Sequence, residues 1–170
     1  MAWRLISVAA RLCLDCGLNR LRDDPVDPLR NYKKMTFWMV YSIDKGLSLN
    51  FGRTSSFQDL DIVVSYPELM DVSQWPMTIF IFNFARVQSE IYEHLYSARA
   101  QMQEPEQRER HAREIATKIE DLIEQFVVRD MLVNDDNANA SRRFRSWRAL
   151  HLPNIWLNSN EAQPCFSTQP

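Results

Sequence analysis

Cys13 and Cys16 have the spacing of half a zinc site, which makes them the clearest metal-ligand pattern in the sequence. A zinc ion needs about four sulfur or imidazole ligands in a tetrahedron. The third cysteine, Cys165, lies near the C-terminus, and no second Cys-x-x-Cys pair exists. Because both cysteines fall on an apolar helical pattern, where small buried thiols are common, core packing is favoured over metal binding.

Two histidines each have an acidic residue one helical turn away, and each such pair could supply two metal ligands. His94 follows Glu90 by four residues, and His111 precedes Glu114 by three. Neither pair has a third ligand within reach of the sequence pattern. Charged residues usually line the solvated side of a helix, so we interpret both pairs as solvated helix faces.

Catalytic motifs are absent from the sequence. It has no glycine-rich phosphate loop, no Gly-x-Ser-x-Gly elbow and no His-Glu-x-x-His, and its acidic pairs Asp23-Asp24 and Asp135-Asp136 fall in predicted loops. We therefore expect a protein that is not an enzyme. The alternative is an all-α enzyme whose site assembles only in three dimensions, with Asp44, Asp59, Asp61 and a histidine around one pocket.

One segment near the C-terminus interleaves basic and aromatic residues, as a nucleic-acid surface or nuclear-import patch would. Its basic residues are Arg142, Arg143, Arg145 and Arg148. A short amphipathic helix explains the pattern equally simply. The formal net charge of -2 gives no general attraction to phosphate, so we do not expect this chain to bind DNA by itself.

The composition favours helices as the elements that position these residues. Three glycines among 170 residues, with 45% hydrophobic content, suit a packed all-α protein better than a turn-rich sheet protein. The most apolar stretches, residues 35–43 and 72–85, are shorter than the roughly 20 residues that cross a bilayer, so no membrane association is expected. Three cysteines and no leader pattern indicate a reducing compartment, the cytosol or nucleus.

Hydrophobic spacing predicts two helices and an ordered loop in the first part of the chain. The first helix covers residues 3–16 with a broad buried face and ends at Gly17 in a left-handed cap. The residues of that face are Leu5, Val8, Ala9, Leu12 and Cys16, widened by Ile6 and Cys13. Asp27-Pro28 caps a second helix that runs to about Asn50. Its centre is apolar nearly all round, which predicts packing on several sides. An ordered loop, residues 51–67, follows.

A helical hairpin is predicted next. One helix extends from Trp75-Pro76 to Met102, and another begins at Pro105 and extends to about Met131. The short connection predicts that they pack antiparallel through their apolar seams. We place the domain at residues 1–128 and a linker with a poorly ordered tail at 129–170, where periodicity is lost.

Four segments resemble the fungal-specific transcription factor domain. They are A-W-R-L-I-S-V-A-A-R-L-C-L-D-C-G-L-N-R (2–20), F-W-M-V-Y-S-I-D-K-G-L-S-L-N-F-G-R-T (37–54), D-L-D-I-V-V-S-Y-P (59–67) and F-A-R-V-Q-S-E-I-Y-E-H-L-Y-S (84–97). The likeness covers about residues 1–128. Within it, the structural signature is Asp44, Gly52, Arg53, Asp61 and Pro67.

The resemblance implies a nuclear regulator of transcription by RNA polymerase II. Family members bind DNA, usually as dimers, through an N-terminal binuclear zinc cluster of six cysteines, and their helical middle region tunes activation, often in response to small metabolites. This chain has three cysteines, so zinc is expected only in the parent protein and the chain is expected to be a fragment. The expected partners are the rest of that protein, a second copy, or a small effector.

Two site predictions follow for the aromatic helix and its loop. Arg53 is expected to form a bidentate ion pair with Asp44, Asp59 or Asp61, and contact with an anion or metabolite is the alternative. A candidate effector pocket comprises Trp38, Tyr41, Phe51 and Trp75. The alternative role for the hairpin, residues 80–126, is to pair between chains as a homo-oligomerisation module.

Overall fold

The computed structural model describes residues 2–68 and 76–133, and within those ranges the protein is helical with no strand. The helices are α1 (Ala2–Asp15), α2 (Arg30–Asn50), α3 (Pro76–Ile91), α4 (Ala98–Gln101) and α5 (Pro105–Val133). Short 3-10 turns occupy Leu18–Arg20 and Asp59–Asp61, and a π-helical segment occupies Tyr92–Tyr96. The predicted all-α class is confirmed. None of these helices is long and apolar enough to span a bilayer.

Helix α2 is the centre of the main core, packed between α1 and α3. Its aromatic residues Phe37, Trp38 and Tyr41 are almost completely buried. The rings of Phe37 and Trp38 meet edge to face at 5.4 Å, and Trp38 stacks against Phe82 of α3 at 5.8 Å. The opposite side of α2 is open, since Met39 is 45% and Ile43 46% exposed. The expectation of packing on several sides is thus wrong for that face.

Helix α1 ends as predicted, but its buried face is shifted from the predicted one. Gly17 has φ 69°, and Leu18 packs against the core cluster that contains Cys13. Three residues of the predicted stripe, Leu5, Val8 and Leu12, are 58–70% exposed. The buried side carries Ala10 and Cys13. The reason is steric, because two small side chains let α1 approach the bulky aromatic residues of α2 closely.

Helix α2 begins at Arg30, two residues later than the predicted first residue, Pro28. The Asp27 carboxylate accepts a hydrogen bond from the Leu29 N–H at 2.9 Å and another from Lys33 Nζ at 2.6 Å. It therefore caps a turn that precedes the helix, and Pro28 belongs to that turn.

The predicted hairpin is confirmed as an antiparallel pair. Val87 and Ile91 of α3 pack with Ile115 and Ile119 of α5, and the second seam cluster is Phe80, Phe84 and Phe126. Phe80 and Phe84, near the start of α3, meet Phe126 toward the end of α5, whereas Val87 and Ile91 meet Ile115 and Ile119 nearer its start. The two helices therefore run antiparallel. The hairpin closes within one chain through these two clusters, and its pairing between chains stays a prediction.

The first arm of the hairpin is interrupted, which corrects the prediction of one helix from Trp75 to Met102. After Ile91 the chain widens into the π-helical segment, and the Ser97 N–H donates to Tyr92 O at 2.7 Å. Ser97 then becomes extended, and its Oγ accepts from the Ala100 N–H at 3.0 Å to cap α4. The Ser97 side chain accepts a hydrogen bond from the backbone and so competes with the regular helical pattern, which explains the break. Hydrophobic spacing alone does not predict such a break.

We predict that Ile115→Ala lowers the free energy of unfolding by about 2–4 kcal/mol, because Ile115 is 4% exposed in the seam and its loss leaves a cavity. Urea denaturation followed by circular dichroism measures this. Leu5→Ala is the matched control, with an expected change within about 0.5 kcal/mol, since Leu5 is 70% exposed. Equal losses for the two variants would contradict this assignment of buried faces.

Candidate functional site

The loop of residues 51–67 leaves the end of α2 through Gly52. This glycine has φ 60°, a left-handed conformation that costs other residues about 1 kcal/mol or more. The Arg53 N–H then donates to Ser48 O at 2.8 Å, which turns the chain back along α2. Gly52 of the predicted signature is thus required by backbone geometry.

Asp44 fixes the first part of the loop from inside the core. Its side chain is completely buried in the middle of α2. Its Oδ2 accepts from Ser55 Oγ at 2.6 Å and from the Ser56 N–H at 2.9 Å. Hydrogen bonds to a buried carboxylate are strong, and they hold the loop where these two donors can reach it.

Lys45 joins three elements at one nitrogen atom. The side chain is 4% exposed, and its Nζ donates to Phe57 O of the loop at 3.0 Å and to Ser89 Oγ of α3 at 2.8 Å. It also forms an ion pair with Asp59 Oδ1 at 2.9 Å. All three donor positions of the ammonium group are used, so the buried charge is satisfied.

Tyr41 completes this cluster, which we call the anchor network: Tyr41, Asp44, Lys45, Asp59 and Ser89. The Tyr41 hydroxyl donates to Asp59 Oδ1 at 3.0 Å, and Lys45 Nζ lies 5.2 Å from the centre of its ring. Burial raises the pKa of Tyr41 well above its ordinary value, and the charge of Asp59 and the hydrogen bond to it act in the same direction. The hydroxyl therefore stays a hydrogen-bond donor.

A second buried lysine holds the connector before α2. Lys34 has no exposed surface and pairs with Asp23, while Glu68 Oε1 lies 3.9 Å from its Nζ. Hydrogen bonds from Lys34 and then from Ser65 lower the pKa of Asp23 below its usual range. Asp23, predicted only as part of a loop acidic pair, thus ties the connector to α2.

The predicted ion pair of Arg53 is wrong. Arg53 is exposed, and its guanidinium lies over the Trp3 ring of α1, 4.8 Å from the centroid. No carboxylate of the described residues lies within ion-pair distance of it. Two of the three expected acids already have other partners, since Asp59 pairs with Lys45 and Asp61 pairs with Arg20 at 2.6 Å. The turn at Gly52 also directs Arg53 toward the surface.

The remaining signature residues hold the end of the loop. Asp61 is exposed at the surface, yet its backbone oxygen accepts from Asn19 Nδ2 at 2.9 Å. Pro67 is buried. The predicted enzyme alternative required Asp44 and Asp61 around one pocket, but the first lies inside the core and the second lies on the surface.

The candidate effector pocket stays a prediction, and three of its four residues can be placed. Trp38 and Tyr41 fill the core, with ring centroids 5.3 Å apart. Phe51 is 58% exposed and lies ten residues, about 15 Å, along the helix direction from Tyr41. Trp75 lies outside the described residues, as do the basic residues Arg142, Arg143, Arg145 and Arg148 and the Asp135-Asp136 pair.

The two cysteines of the possible half zinc site separate in burial. Cys13 is buried in the core, as expected, whereas Cys16 is exposed, which corrects the prediction for it. Burial, and then the neighbouring Cys16, raise the pKa of the Cys13 thiol. Within residues 2–68 and 76–133 no group of three or more histidine, cysteine or acidic side chains is placed to hold a metal ion.

The two histidines come together, contrary to the prediction of separate solvated faces. His94 lies in the π-helical segment and His111 in α5, and their ring centroids are 4.6 Å apart. Both side chains are half-buried between the arms of the hairpin.

Comparison with known proteins identifies the family. The profile of the family described as "Fungal specific transcription factor domain" matches residues 1–148. The chain belongs to this fungal transcription factor family. A protein of Schizosaccharomyces pombe named an uncharacterized transcriptional regulatory protein is 33% identical over 107 residues, which cover 58% of this chain and 17% of that protein. No solved structure matches.

The match confirms the resemblance and the predicted role: this chain is a regulatory domain of a fungal transcription factor. The chain spans about a sixth of the curated relative it matches, so the activities of a whole regulator extend beyond it. In the fungal domain the anchor network joins three of the four segments that carried the resemblance.

Sequence reasoning missed Lys34 and Lys45 as buried residues, since lysines beside an apolar stretch ordinarily mark its solvated ends. The available signal was spacing. Lys34, Lys45 and Ser48 fall on the same side of α2 as Trp38 and Tyr41. A lysine within an apolar stripe requires an acidic partner, which would have pointed to Asp23 and Asp59.

Replacing Asp44 by alanine should lower the free energy of unfolding by about 2–4 kcal/mol, because Ser55 and the Ser56 N–H lose a buried ionic acceptor. Chemical denaturation of the fungal domain tests this. Asp61→Ala, another signature residue, is the control and should cost less than about 1 kcal/mol, since its pair with Arg20 is exposed. A larger loss for the Asp61 variant would refute the buried anchor.

The pair between Asp23 and Lys34 should make stability depend on acid pH. Because the pKa of Asp23 is lower in the folded state, its contribution is complete above the unfolded value of about 4 and disappears as pH falls through the folded value. Asp23→Asn should therefore be less stable than wild type at pH 7, and the difference should shrink below about pH 4. The control is Asp121→Asn on the exposed side of α5, and a difference that persists at low pH would oppose this assignment.

Proposed function

We propose that this domain acts in the nucleus, by packing against other parts of its transcription factor and tuning how strongly that factor activates genes. The observation that carries the proposal is the family match over residues 1–148. DNA contact would be made by a separate zinc cluster of the parent protein. The domain would therefore work by binding and conformation, without substrate turnover.

The outer face of α1 supports an interaction with the rest of the parent protein. Leu5, Val8 and Leu12 form an apolar stripe along one side of the helix, opposite the face that packs on α2. Such a stripe on a helix is typical of a surface that another helix covers.

The interior supports a scaffold and not a catalytic site. The polar groups of the anchor network are engaged in holding the loop. Tyr41, Lys45, Asp59 and Ser89 pair with one another, and Asp44 Oδ2 accepts from Ser55 Oγ and from the Ser56 N–H. Asp44 is completely buried, so its carboxylate does not face solvent, where a substrate would bind.

The test places Asp44→Ala and Asp61→Ala in the parent gene and measures transcripts together with promoter occupancy. We expect the Asp44 variant to change the transcript level of bound genes at least about threefold at equal protein level, with occupancy unchanged, because a loosened loop alters regulation and leaves the DNA-binding module intact. The Asp61 variant should resemble wild type. Loss of occupancy in parallel with transcript, or no change in either, would contradict a regulatory role for this domain.

A further inference from the structure

The seam of the hairpin becomes polar at the end where α4 and α5 meet. Toward α3 it contains Ile91 and Ile115, both nearly buried. Beyond them five polar residues occupy the corner, and we call them the polar corner: His94, Tyr96, Gln103, Arg108 and His111. The π-helical segment packs against both α4 and α5, so these residues share one end of the hairpin.

The two imidazoles define the centre of the polar corner. Their centroids are 4.6 Å apart, and their ring planes meet at 66°. A π-helical turn contains an extra residue and redirects the side chains after it, which is why such turns are frequent at functional sites. Here the wider turn brings His94 against α5.

Arg108 lies one turn before His111 on the same side of α5 as Ile115. It is half-buried, and its Nε is buried without a hydrogen-bond partner in the described structure. No carboxylate of the described residues lies within ion-pair distance of its guanidinium. Glu109 pairs with Arg113 at 2.5 Å and Glu90 with Lys118 at 2.5 Å. Glu104, four residues before Arg108, is exposed to solvent. A partly buried cation without an anion is costly.

Two more buried atoms of the corner lack partners among the described residues, His111 Nδ1 and Gln103 Oε1. Buried polar atoms are nearly always satisfied, so these three atoms leave hydrogen-bonding capacity that a bound ligand or water would fill. Arg108 Nε is a donor, and the His111 nitrogen is a donor when it carries the proton. Two donors one helical turn apart fit the oxygen atoms of one small anion.

We propose that Arg108, His111 and His94 bind a small oxyanion, a carboxylate or a phosphate group, at the polar corner. In this arrangement Gln103 Oε1 accepts from a hydroxyl group next to that anion. Burial raises the pKa of Tyr96 and the charge of Arg108 opposes that rise, so Tyr96 and Arg108 are neighbours in the corner. A divalent metal ion on the two histidines is the alternative ligand. The positive charge of the Arg108 guanidinium disfavours it, and no third metal ligand among the described residues is placed near the two rings. Binding is a property of the domain itself, and only its regulatory meaning rests on the proposed function.

Titration of the 170-residue chain with inorganic phosphate and, separately, with malate tests the proposal, using the NMR signals of the histidine rings and the thermal midpoint. We expect saturable shifts of the His94 and His111 signals and a rise of roughly 3 °C in the midpoint at tenfold excess over the dissociation constant. Tighter binding of phosphate assigns a phosphate ester, and tighter binding of malate assigns a carboxylate. Either result supports the site.

Arg108→Gln should weaken binding at least tenfold, while Arg110→Gln, which removes the same charge from the exposed side of α5, should stay within about twofold of wild type. If Arg108→Gln fails to fold by circular dichroism, Arg108→Lys keeps the charge without the planar fork and should weaken binding about threefold or more. Equal effects at positions 108 and 110, or no saturation by either anion up to roughly 20 mM, would overturn the site. Retained binding with unchanged transcripts in cells would instead count only against the proposed function.

Discussion

The structure depends on two adjacent charges of α2, Asp44 and Lys45, being buried together. Each ion costs several kcal/mol to remove from water, and the cost is recovered only if hydrogen bonds and counter-charges replace the water. The loop of residues 51–67 supplies most of the replacements, from Ser55, Ser56, Phe57 and Asp59. The loop is therefore a component of the core, and α2 could not bury this face without it.

This requirement also fixes the register between α2 and α3. Aromatic packing of Trp38 on Phe82 is weakly directional and tolerates small shifts. The hydrogen bond from Lys45 to Ser89 is more restrictive, because it weakens steeply outside a narrow range of length and direction. A second polar contact, from the Tyr66 hydroxyl of the loop to Asn83 Oδ1 of α3, works in the same way. Polar groups thus specify the arrangement that apolar burial stabilises.

Sequence periodicity predicted the helices well, and it failed where side-chain volume or hydrogen bonding decided. It placed α2, the loop and the hairpin, since each has a long pattern or a strong terminal signal. It included Leu5 and Val8 with Cys13 in the buried face of α1, because it counts apolar residues and ignores that small side chains such as Ala10 permit a closer approach. It also missed the break at Ser97, a serine that no hydrophobic pattern registers. The pairing of His94 with His111 required the hairpin to be closed in three dimensions.

The anchor network and the polar corner each have a residue on the stretch formed by α3 and the π-helical segment, which makes that stretch the physical link between them. Ser89 receives the hydrogen bond of Lys45, and His94 follows it by five residues, about 7.5 Å along the helix. The loop reaches the same region directly, since Thr54 Oγ1 and the Tyr92 hydroxyl are 3.2 Å apart. Coupling between the two sites requires an anion to bind two conformations of this stretch with different affinities, because only differential binding shifts a conformational equilibrium. A displacement of His94 would then reach Tyr92 and Ser89 along the same stretch, and through their hydrogen bonds the loop at Thr54 and α2 at Lys45.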